Sequence, residues 1–130
     1  MDSQEIIRYW FTSARNDWRV ARHLFDKRDY AYALFFAHLY SEKLLKALVV
    51  QHTRSHAPYG HGLRILAEKA GLKLSPEQIL LLERVTEYNI RGRYDDWKFE
   101  FKKRCTKRFC QKELDEIERF GKWLRSMIRL

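Results

Sequence analysis

Residues that break helices are scarce in this sequence, with five glycines and two prolines among 130 positions. That scarcity excludes a flexible linker or a low-complexity tail. With 45% hydrophobic and 33% charged residues, it leaves a folded, helix-rich chain. No stretch is long and apolar enough to span a membrane, so no membrane role is expected. The opening Met-Asp-Ser-Gln-Glu is acidic and polar, and no uninterrupted apolar region follows it, so a secretory signal is not expected. Cys105 and Cys110 are the only cysteines. Without an export signal both are expected to stay reduced, and the expected compartment is the cytoplasm. A Gly-rich phosphate loop is also missing, so any nucleotide would have to be held by side chains.

What is abundant is positive charge. Lys and Arg number 26 against 17 acidic residues, a formal net charge of +9, which favours polyanionic partners. The excess is uneven. Lys98, Lys102, Lys103, Arg104, Lys107 and Arg108 face a single acid, Glu100, within one short stretch. Taken alone, such a run reads as a solvated face.

The length fits one domain over residues 1–130. Asp2 or Ser3 can cap a first helix that carries Ile7, Trp10, Phe11, Ala14, Trp18, Ala21, Leu24 and Phe25 at intervals of three and four, and runs to about Lys27. A second helix extends to about His52, with Ala33, Phe36, Ala37, Tyr40, Leu44, Ala47 and Leu48 on one side and His38, Glu42, Lys43 and Lys46 on the other. Pro58 and Gly60 mark a loop. A short helix through Leu63, Leu66 and Ala70 then stops at Gly71. Ser75-Pro76-Glu77-Gln78 is a capping box with proline at the first helical position, opening a helix that ends near Arg91. Residues 93–105 read as irregular, because Trp97, Phe99 and Phe101 alternate like a strand while Trp97, Phe101 and Cys105 suit a helix. Thr106 caps the last helix, in which Gly121 marks a close helix contact. The expected fold is all-α, an up-and-down bundle of four main helices plus one short helix.

Three motifs then point to a family. Tyr32-Ala33-x-x-Phe36-Ala37-x-x-x-x-Glu42-Lys43-x-x-Lys46-Ala47-Leu48 resembles the second-helix signature of the HEPN family. His61-Gly62-Leu63 is similar to its His-x-Leu, and Arg93-Tyr94-Asp95-Asp96 to its Arg-Tyr-Pro-Asp, with Asp95 in place of proline. The resemblance covers nearly the whole chain. It implies a helical bundle, a homodimer, a minimal nucleotidyltransferase as partner in a toxin-antitoxin-like system, and either metal-independent ribonuclease activity or descent from it. Catalytic members carry an Arg followed four to six residues later by His, shortly before the final helix. Here no histidine follows His61, which argues against the usual ribonuclease chemistry. Arg54 and His61 satisfy a bare Arg-x6-His spacing but lie between the second and third helices.

The candidate ligand-binding residues are therefore Arg91, Arg93, Tyr94, Asp95, Asp96, Glu42, Lys43, Lys46 and His61. An arginine fork pairs bidentately with phosphate, and Tyr94 can stack on a base. The plainer readings are that Arg93 ties to Asp95 or Asp96, and that Glu42 and Lys46 form an ion pair one turn apart. His52, His56, His61, Cys105 and Cys110 match no compact zinc module, and nothing calls for a metal or another cofactor. Three functions follow: a nucleotide- or RNA-backbone-binding module, a ribonuclease with a non-standard site, and a structural helical partner. The absent histidine favours the first.

Overall fold

The computed structural model describes residues 2–59, 62–91 and 95–130, and within the last stretch the side chains from residue 100 onward. Among these residues six helices follow one another: α1 (Ser3–Asp26), α2 (Tyr30–Thr53), α3 (Leu63–Lys69), α4 (Pro76–Arg91), α5 (Asp95–Arg104) and α6 (Lys107–Met127). Their starts are set by local chemistry. Asp2 Oδ1 accepts the Glu5 amide at 2.8 Å. Ser75 and Gln78 bond reciprocally, with amide-to-side-chain distances of 2.9 and 3.1 Å. Thr106 Oγ1 accepts the Phe109 amide at 3.1 Å. Each such cap satisfies amides that a helix N-terminus otherwise leaves unpaired, worth about 1 kcal/mol. Gly71 ends the α3 segment at φ +75°, where a side chain would also press on the His52 ring.

Contacts along the helices give their directions. On α1 and α2, Phe25 meets Tyr30, Asp17 meets Lys43 and Trp10 meets Lys46, so this hairpin is antiparallel. Between α2 and α6, Tyr30 meets Cys110 and Gln51 meets Met127, so these two run parallel. Arg84 of α4 meets Glu113 and Glu116, and Tyr88 also meets Glu113, which places α4 antiparallel to α6. The four long helices thus alternate in direction. Two short helices, α3 and α5, complete the fold.

The second of these corrects the sequence expectation, since residues 95–104 form a helix, not irregular chain. Phe101 and Cys105, the pair that suits a helix, are buried, at 1% and 5% exposure. Phe101 rests on Tyr88 of α4, with ring centroids 5.4 Å apart. Ten residues this polar form a marginal helix in isolation, so tertiary packing decides the conformation.

At the centre lies α2, packed against every other helix. Fourteen of its 24 residues are buried. The polar side read from the sequence is consequently not a solvent face, because His38 and Lys46 are only 4% and 9% exposed. Gly121 of α6 makes the expected close contact: the Tyr40 ring fills the space where a Cβ would stand. Among the described residues no helix is long and apolar enough to cross a membrane.

Candidate functional site

The Glu42, Lys43 and Lys46 ridge of α2 faces α1. Lys43 Nζ sits 2.6 Å from Asp17 Oδ2 and donates to Ser13 Oγ at 2.7 Å. Lys46 Nζ lies 3.6 Å from Glu42 Oε1 and 5.0 Å from the centroid of the Trp10 ring. The ion pair expected one turn apart is present, but more deeply covered than a surface pair. Both ammonium groups are occupied by partners within the fold, and the buried Asp17 explains why a cation is needed there.

Arg91 stands in the last turn of α4, where its Nε lies 3.4 Å from Glu87 Oε2. This end of α4 is held by a polar network that the sequence reading missed. Glu113, 3% exposed on the inner side of α6, accepts a short hydrogen bond from the Tyr88 hydroxyl and one of 3.0 Å from Arg84 Nε. Arg84 Nη2 also reaches Glu116 Oε2 at 2.6 Å. Burial, and then the Glu113 carboxylate, raise the Tyr88 pKa well above the usual phenol range. Hydrogen bonding to Glu113 raises that of Arg84. Tyr88 is one turn before Arg91 and stacks on α5, so the network fixes the helix end that presents Arg91. The signal that could have found it is Glu113 itself, an acid three residues after Cys110 on the apolar stripe of α6.

Around the α5–α6 junction the charge run becomes a basic corner. Lys102, Lys103, Arg104, Lys107 and Arg108 are all exposed. None of the five makes an ion pair with a described residue. Arg104 lies over Phe101 and Phe109, 5.9 and 5.7 Å from their centroids. The first turn of α6 contains no acid. Cys105 and Cys110 flank this corner inside the fold, and burial pushes both thiols up to about 12, so neither is a ready nucleophile.

The remaining candidates, His61, Arg93 and Tyr94, lie outside the described residues, as do the side chains of Asp95 and Asp96. The neighbouring backbone is placed. The Leu63 amide donates to Thr86 Oγ1 at 3.2 Å, so the start of α3 docks on α4 five residues before Arg91. Arg54 closes α2 as its left-handed C-cap. Among the described residues no three His, Cys, Asp or Glu side chains are grouped as metal ligands would be.

The HEPN domain profile matches residues 7–127. The chain belongs to the HEPN family. Its fold is similar to that in the crystal structure of TT1696 from Thermus thermophilus, with a TM-score of 0.76 and 23% sequence identity, covering 92% of this chain and 96% of that one. At that identity the likeness speaks to the fold. No curated protein matches the sequence. Within this HEPN fold the three resembling motifs fall on the central α2, the approach to α3 and the α4–α5 junction.

Proposed function

We propose that this HEPN chain is a nucleotide- or RNA-backbone-binding interaction module, a homodimer working with a minimal nucleotidyltransferase, and not a ribonuclease of the usual kind. The observation that carries the binding half is the basic corner. Lys107 and Arg108 occupy the first turn of α6, where the helix dipole disfavours cations by about 0.3–1 kcal/mol each. A phosphate placed there would neutralise them and accept the free amides of the helix start. Arg91 and Arg93, at the end of α4 and just beyond it, add guanidinium forks suited to phosphate oxygens. The absence of histidine after His61 removes the general acid or base of the usual mechanism.

The test is incubation of wild type, Arg93→Ala and Lys107→Ala/Arg108→Ala with labelled single-stranded RNA in chelator, run on native and denaturing gels in parallel. The expected result is a salt-sensitive shift without cleavage, weakened in both variants. Cleavage lost in Arg93→Ala would instead make the protein a metal-independent ribonuclease. Sedimentation and co-purification with a nucleotidyltransferase test the dimer and the partner.

A further inference from the structure

A second cationic site, far from the basic corner, is formed by the outer face of α1 and the last turn of α6. Arg8, Thr12, Arg15 and Arg19 recur at four, three and four residues and are all exposed, so they form one stripe on α1. Beside that stripe is a cleft of about 470 Å³ whose walls include Arg15, Asn16, Trp18 and Arg19 of α1, Tyr40 of α2 and Arg125 of α6. No carboxylate lines it. This volume falls within the range of small-ligand pockets.

The three guanidinium groups are positioned without being neutralised. Arg15 and Arg125 both lie against the Phe11 ring, 5.8 and 5.7 Å from its centroid. Arg19 Nη2 donates to Asn16 Oδ1 at 2.6 Å. None of the three has an ion-pair partner among the described residues, whereas Arg64, Arg84 and Arg91 all sit on carboxylates. Aromatic and amide neighbours therefore limit the freedom of the side chains while leaving their charge and most of their donors unused. That arrangement is preorganised for an anion with several acceptor oxygens. Trp18, partly exposed and tilted against Tyr40 at 4.9 Å, adds a flat aromatic wall.

We propose that this cleft binds a phosphate ester, clamped by Arg15, Arg19 and Arg125 with an aromatic ring of the ligand against Trp18. Arg108 and Arg125 lie 17 residues apart on α6, about 26 Å along its axis, so the cleft is separate from the corner and does not depend on the reading given for it. The phosphate belongs either to a free nucleotide or to an RNA chain. The two sources separate experimentally.

The test follows the Trp18 indole N–H resonance, assigned by its loss in Trp18→Phe, during titrations with ADP and, separately, with a 12-residue oligouridylate. Saturable movement is expected with at least one probe. Movement with ADP identifies the free nucleotide as sufficient, and movement with the oligonucleotide alone identifies the chain. Arg15→Gln/Arg19→Gln/Arg125→Gln should weaken the response by about tenfold or more, while Lys69→Gln/Lys73→Gln, which removes charge at exposed positions elsewhere, should leave it unchanged. Should the triple variant fail to fold, Arg19→Gln and Arg19→Lys, at an exposed position bonded to Asn16, serve in its place, with the loss of the fork weakening both. No movement with either probe, undiminished affinity in the arginine variants, or loss in the Lys69→Gln/Lys73→Gln variant would overturn the proposal.

Discussion

At the scale of single residues, Glu113 is a buried acid held by two partners. Its side chain is 4% exposed and receives Tyr88 and Arg84, while the Arg84 side chain remains 43% exposed and has Glu116 as a second partner. Removing the two ends should therefore have unequal costs. Arg84→Ala leaves a buried carboxylate with the Tyr88 phenol as its remaining partner among the described residues, at a cost of about 3 kcal/mol. Glu113→Gln retains an acceptor for Tyr88 and should cost about 1 kcal/mol. Urea unfolding of both variants checks the order, and an equal loss would mean that the charge on Glu113 matters little. The thiols give a pH test. Cys105 and Cys110 sit at about 12 in the fold against an ordinary 9.0, because burial disfavours the thiolate. Below pH 9 folded and unfolded chains both hold these protons. Between the two values only the unfolded chain releases them, so stability falls as pH rises, by up to about 1.4 kcal/mol per pH unit per thiol. The Cys105→Ala/Cys110→Ala variant should show a shallower decline over that window in denaturation titrations, whatever its stability at neutral pH.

At the scale of elements, Gly121 sets two principles against each other. Alanine is better than glycine inside a helix by about 1 kcal/mol. Yet the Tyr40 ring occupies the place of the new methyl group, and overpacking costs about 1–3 kcal/mol. Since Tyr40 is buried and held against Trp18, packing should win, and Gly121→Ala should lower the midpoint of thermal unfolding. A rise would show that α2 and α6 can separate at little cost. The sequence signalled this contact because a mid-helix glycine needs a reason. It also displayed the caps at Asp2, Ser75 and Thr106, since capping is local chemistry. What it did not display depends on neighbours distant in the chain. Residues 95–104 read ambiguously until Tyr88 supplies a surface for Phe101. Lys43 and Lys46 read as an open ridge because the buried Asp17 and the Trp10 ring that take them up lie some thirty residues earlier, on α1. The arginine cleft is not legible in sequence either, because only the fold brings Arg125 to the same Phe11 ring as Arg15.

At the scale of the whole molecule, a chain with a net charge of +9 gathers exposed cations at both ends of α6. The corner at its start gathers five exposed cations, and the cleft at its end gathers three arginines. Overall charge alone would make RNA binding salt-dependent, so salt dependence by itself does not locate the contact. The change in slope does. For single strands, the logarithm of affinity falls against that of salt with a slope of about −0.7 per phosphate neutralised. If both corner side chains meet phosphates, Lys107→Gln/Arg108→Gln should reduce the slope by about 1.4, with little dependence on RNA sequence. Filter binding of the oligouridylate from about 50 to 300 mM KCl measures this directly. A weaker affinity with an unchanged slope would mean that Lys107 and Arg108 act on the fold of the corner instead of on the ligand. Equal slopes and equal affinities would take Lys107 and Arg108 out of the interface and leave Arg91, Arg93 and the arginine cleft as the cationic contacts to test next.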